Sequence, residues 1–133
     1  MSMIPLEDAR DAIKAATAMS RDLFVSAWSA ATGEEFHAAP ENVRVRGLIE
    51  AGAWYDTAVA LLDRATSGCS WQTGFVSESD ADSEDPAGPW ARVFVDVEEV
   101  DALIASAPTM PLAILLAVTV AVIAERAYDA ELI

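Results

Sequence analysis

Carboxylates are the side chains capable of chemistry that this sequence gathers in one place. Between Glu78 and Asp101 there are nine acids, at positions 78, 80, 82, 84, 85, 96, 98, 99 and 101, and one base, Arg92. The stretch carries a net charge of −8 over 24 residues. Such a segment has a small set of uses: calcium ligation, acid–base catalysis, imitation of a polyanion, or simple solvation. Asp80, Asp82 and Glu84 have the alternate spacing that opens an EF-hand loop. The sixth position, however, is Asp85 where that loop needs Gly for its turn, and the twelfth is Ala91 where it needs a bidentate Glu. Acid–base catalysis needs one carboxylate pair set apart from the rest, and nothing in the spacing raises one pair above another. Two readings remain. One is a loop that keeps the chain soluble. The other is an interaction surface whose carboxylates stand in for duplex phosphates and occupy a basic groove, with salt-sensitive electrostatic steering. On that second reading the partner-binding residues are Glu78, Asp80, Asp82, Glu84, Asp85, Glu98, Glu99 and Asp101. They are expected to be exposed, because an unpaired buried acid is costly.

The other candidate groups are isolated. His37 lies in the loop Thr32–Glu41 with no Cys or second His at ligand spacing, so a surface residue is expected rather than a metal ligand. Cys69 has no His or Asp beside it in sequence and reads as a small core residue. Gly47 and Gly52 lack the Lys-Ser/Thr and the preceding strand of a phosphate loop. No catalytic residues, cofactor or metal ligands are expected, and the chain reads as a non-enzyme.

Composition sets further bounds. The chain has 133 residues, 53% of them hydrophobic, and a formal charge of −14 from 22 acids and 8 bases. That length suits one domain with a sizeable core. The charge disfavours contact with nucleic-acid phosphates or anionic lipid and favours a basic partner. One cysteine excludes an internal disulfide framework and fits a reducing compartment. The first residues are acidic and lack an apolar signal core, so a cytoplasmic location is expected.

The elements that would position the acids surround Pro111–Ala124, a stretch without charge whose one polar side chain is Thr119. A helix there is apolar on every face and must be covered on every face. A membrane span needs about 20 apolar residues, and this run, with acidic flanks, falls short. Leu6–Ala31 has apolar residues at 3–4 spacing and predicts one helix of about 25 residues, ended by Gly33. A second helix is predicted from Pro40 or Asn42 to about Thr66. Gly47 and Gly52 weaken it, and a close helix–helix contact would account for them. Cys69–Val76 and Trp90–Val97 predict two antiparallel strands joined by the polar loop SESDADSEDPAG. In the first strand Cys69, Trp71, Thr73 and Phe75 share a side. In the second, Ala91, Val93, Val95 and Val97 face one way, and Trp90, Arg92, Phe94 and Asp96 the other. Such a ribbon needs a helix against it. A short acidic helical turn is expected from Val97 to Ile104. The expected class is therefore α+β and mostly helical: two long N-terminal helices, a two-stranded or small antiparallel ribbon, and a buried apolar C-terminal helix. Residues 1–46 form a helical extension and residues 47–133 a helix-strand-strand-helix core within one domain.

The second half has a recurring layout: Ala51-Gly52-Ala53-Trp54 to Leu62 on a helix, Trp71 in a first strand, Trp90 opening a second, then Ala105-Ser106-Ala107-Pro108-Thr109-Met110-Pro111-Leu112-Ala113-Ile114 leading the last helix. Over residues 47–127 this resembles the small phage and prophage proteins of the phage ABA sandwich type. The resemblance implies a mobile-element source and helices packed on a small antiparallel sheet, and it supplies no functional residues. Charge and resemblance together set the expected function. It is a non-enzymatic accessory protein of a phage or mobile element, acting in the host cytoplasm. It would bind and inhibit a host protein with a basic, nucleic-acid-binding surface, such as a nucleic-acid-guided defence complex, in the manner of an anti-CRISPR or DNA-mimic inhibitor. The alternative is a small structural or oligomerising phage protein, with a homodimer burying part of the apolar surface.

Overall fold

The computed structural model describes residues 5–36, 42–66, 69–81, 87–94 and 104–131, with the side chains of 127–131 left aside. In chain order the elements are α1 (Leu6–Ala15), α2 (Arg21–Thr32), α3 (Asn42–Glu50), α4 (Trp54–Ala65), β1 (Ser70–Val76), β2 (Gly88–Phe94), β3 (Ala105–Ser106) and α5 (Met110–Glu131). The class is α+β.

The apolar run forms most of α5, and the other elements enclose it. Leu112, Ala113, Ile114, Leu115, Val118 and Thr119 are fully buried. Helices α1, α2 and α4 pack on α5 from some directions, and β2 and β3 from another. Thr119 has no need of a partner elsewhere, because its hydroxyl donates to the Leu115 carbonyl at 2.8 Å within the helix. No helix among the described residues is long and apolar enough to cross a membrane.

Each of the two long helices expected from the periodicity is broken into two. The first break lies at Ala16–Ser20. Ala16 is extended (φ −79°, ψ 145°), and Ser20 restarts the helix by accepting the Leu23 N–H on its side-chain oxygen at 3.2 Å. Helical phase does not reveal the break: Leu6, Ala9 and Ile13 stay in register with Phe24, Ala27 and Ala31 at about 100° per residue. Length does reveal it. One helix over these 26 residues would be about 39 Å long, longer than α5 itself at about 33 Å. Folding back lets α1 and α2 each lie on α5 and on one another. Gly33 ends α2 as expected.

The second break is at Gly52, with φ +72°. The Gly52 N–H donates to the Ile49 carbonyl at 3.0 Å and the Ala53 N–H to the Leu48 carbonyl at 2.9 Å. This is a Schellman helix end, which requires a left-handed residue and therefore favours Gly. The close helix–helix contact expected at Gly47 and Gly52 does not exist: a Cβ at either position would meet nothing within 4 Å. Nothing in the structure explains Gly47.

The sheet has three strands in the order β1-β2-β3, all antiparallel, one more than the two predicted. β1 pairs with β2 so that Trp71 faces Val93, Thr73 faces Ala91 and Phe75 faces Pro89. Ala105 and Ser106 add β3 against Ala91 and Trp90. Ala91 and Val93 are buried on the helix-facing side, as the alternation predicted. Val95, Asp96 and Val97 and the expected acidic helical turn lie outside the described residues. Residues of the N-terminal helices, among them Ile13, Phe24 and Trp28, belong to the same hydrophobic core as α5. They do not form an appendage. Phe24, Trp28 and Phe36 stack edge to face or tilted at 5.4–5.9 Å between centroids.

Two predictions follow from this packing. Leu115→Ala is expected to lower unfolding free energy by about 2–5 kcal/mol in urea denaturation, because the helix is hemmed in and the cavity has little room to collapse. The two glycines should respond in opposite directions. Gly52→Ala is expected to cost about 1–2 kcal/mol, from its positive φ. Gly47→Ala is expected to add about 0.5–1 kcal/mol, from helix propensity at an open position.

Candidate functional site

The eight candidate acids were expected to be exposed, and two of them can be placed. Glu78 and Asp80 directly follow β1 and are exposed. They sit on a turn closed by the Asp80 N–H donating to the Ser77 carbonyl at 3.0 Å. The Ser77 hydroxyl donates to Asp80 Oδ2 at 2.9 Å and lies 3.0 Å from the Ser79 hydroxyl. The Asp80 carboxylate is thus held by its own turn, with much of its acceptor capacity still facing solvent. Asp82, Glu84, Asp85, Glu98, Glu99 and Asp101 lie outside the described residues, as does His37. Cys69 is half-buried against the hydrophobic core. Among the described residues no group of three or more His, Cys, Asp or Glu side chains is arranged to hold a metal ion.

The sheet contributes a second feature beside the acids. On the face turned away from α5, alternation along β2 brings Trp90, Arg92 and Phe94 into one row. The Arg92 guanidinium lies 4.8 Å from the Phe94 ring centroid and 5.8 Å from that of Trp90. Opposite it on β1, Gln72 Oε1 accepts from Arg92 Nε at 2.8 Å and from Nη2 at 2.5 Å. The single base of the acidic segment is therefore bonded to its own sheet. The period-two pattern assigned these three residues to one face, but their joint grip on Arg92 was not legible, because Gln72 is 20 positions away in the chain.

Trp90 also explains Gly74, its cross-strand partner. A Cβ at Gly74 would sit 2.3 Å from Trp90 Cζ2 and 2.4 Å from Cε2. The indole lies flat over the glycine and takes the place of the missing side chain.

Phe75 shares its side of β1 with Trp71 and Thr73, as the alternation predicted, yet it is 71% exposed and sharing that side does not bury it. The helix layer is the reason. α5 lies under β2 and β3, whereas the main neighbour of β1 is β2. Cover is complete at Ala91 and Val93 and thins towards Pro89, the residue paired with Phe75.

Gly74→Ala is expected to swing the Trp90 indole off the strand and cost about 1–3 kcal/mol, the usual range for overpacking. Near-ultraviolet circular dichroism of the tryptophans should change, while the far-ultraviolet helical signal stays. An unaltered aromatic spectrum would contradict this reading of the outer face.

No family model matches this chain, and no curated protein or solved structure matches it either.

Proposed function

We propose that this chain is a non-enzymatic acidic binding protein that docks on a basic, nucleic-acid-binding surface of another protein and blocks it, as a DNA-mimic inhibitor does. The observation that carries the reading is the ordered acidic turn after β1. Glu78 and Asp80 are exposed there, and the serines that fix the turn leave carboxylate oxygens facing solvent. The remaining six candidate acids continue the same segment in sequence, and the whole chain carries −14. Arg92, the base that would offset them, is occupied by Gln72 and two aromatic rings. Carboxylates presented in this way attract a cationic groove over roughly a Debye length, about 8 Å at physiological salt, and raise the encounter rate. A nucleic-acid-guided defence complex is the partner class with such a groove. The phage or mobile-element source rests on the resemblance over residues 47–127.

The test is binding to purified nucleic-acid-guided nuclease complexes across a salt series. The comparison is with a variant in which Glu78, Glu84, Glu98 and Glu99 become Gln and Asp80, Asp82, Asp85 and Asp101 become Asn. Affinity of the native chain is expected to fall with salt, and the neutralised variant to bind about a hundredfold more weakly, from eight rim charges each contributing a few tenths of a kcal/mol. Equal affinity of the two proteins would remove the proposal. A structural or oligomerising role draws on a different part of the molecule, the edge of β1.

A further inference from the structure

Strand β1 is the least protected part of the sheet. It stands at the edge of the order β1-β2-β3, so alternate residues direct backbone N–H and C=O groups away from β2. Its main packing neighbour among the described elements is β2, while α5 lies beneath the other two strands. The devices that usually blunt an edge are missing: the sequence SWQTGFV holds no charge, no proline and no bulge against β2 across seven paired residues. It also displays Phe75, the most exposed of the large hydrophobic side chains described.

We propose that β1 is a dimerisation edge, and that its occupant is β1 of a second copy of this chain, paired antiparallel about a twofold axis at Thr73. Three features select a second copy. First, an antiparallel edge is self-complementary under a twofold axis, so one strand supplies both sides of the interface. Second, the axis at Thr73 sets Phe75 of each copy directly opposite Trp71 of the other, and Gln72 opposite Gly74. Trp71, Thr73 and Phe75 share the helix-facing side of the strand. The pairing therefore covers the exposed Phe75 ring with the half-buried Trp71 indole of the other copy. Third, two chains of charge −14 repel, and the repulsion is least where they meet through an uncharged surface such as β1. The result is a continuous six-stranded sheet, with the Trp90–Arg92–Phe94 rows of both copies on one face. The Ser77–Asp80 turns stand at opposite ends of the paired strands, which leaves them open to a partner.

The experiment is sedimentation equilibrium of the full chain from micromolar to near-millimolar concentration at low and high salt, with two variants. A monomer–dimer equilibrium is expected that strengthens with salt, because screening relieves the repulsion between acidic copies. Attraction to a basic partner weakens with salt, so failure of this proposal and failure of the proposed function are separable. Phe75→Glu changes an exposed side chain, so folding should be retained, and it is expected to weaken the dimer by about tenfold or more through two uncompensated charges. Thr73→Cys in a Cys69→Ser background is expected to form a disulfide-linked dimer on mild oxidation. Residues directly opposite across an antiparallel pair have Cα atoms about 4.5–5.5 Å apart, within disulfide reach. Ser70→Cys in the same background, off the axis, should not crosslink. A chain that stays monomeric throughout overturns the proposal. So does a dimer unaffected by Phe75→Glu, or one in which Ser70→Cys crosslinks as readily as Thr73→Cys.

Discussion

A helix with no polar face is the constraint from which the rest of this structure follows. An ordinary surface helix buries one stripe and leaves the other side to water. α5 buries Leu112 through Val118 in all directions, and burial of each Leu, Ile and Val among them contributes roughly 1.5–3 kcal/mol. Enclosure in every direction requires more than one neighbour. Three helices and two strands supply it here, and none of them is long enough to do so alone. The requirement also accounts for the shape of the N-terminal half. A straight helix from Leu6 to Ala31 would run past the end of α5 and leave its own apolar residues exposed. The break at Ser20 turns that stripe into two short faces that meet the same helix.

Enclosure is uneven on the sheet side. α5 lies under β2 and β3, so β1 hangs beyond the helix layer. The consequences are local and connected. Trp71 is half-buried, Phe75 projects into solvent, and no strand among the described residues pairs with the outer edge of β1. On the opposite face the sheet stabilises itself without a covering layer. Trp90 lies over Gly74, and Arg92 is held between aromatic rings and the Gln72 amide oxygen. Cation–π contacts at such exposed sites contribute about 0.5–1 kcal/mol each, enough to order side chains though not to replace a core.

Charge and packing are segregated in this molecule. Beneath the surface the polar side chains that are buried, such as Thr57, Thr66 and Thr119, bond back to carbonyls of their own helices. The ionised groups described lie at the periphery. Folding therefore makes small demands on the carboxylates described. The same arrangement lets a neutral β-edge and an acidic turn stand side by side.

The amino-acid sequence by itself determined the class, the buried C-terminal helix and the faces of β2. Each of these rests on periodicity or on an unbroken apolar run, which are local properties of the chain. It also determined the exposure of Glu78 and Asp80, since nothing near them offers to neutralise a buried acid. Tertiary structure decided where the long stripes break. The stripe on either side of Ser20 is in helical phase, so only the length of α5 discriminates one helix from two. Gly52 was legible as a weak point, yet its role as a left-handed helix end depends on the bonds to Leu48 and Ile49. The third strand, Ala105–Ser106, is too short to carry a pattern and exists because β2 was already there to pair with. Phe75 is the clearest instance: alternation places it on one side with Trp71 and Thr73, but α5 packs on β2 and β3, and the ring on β1 stays exposed.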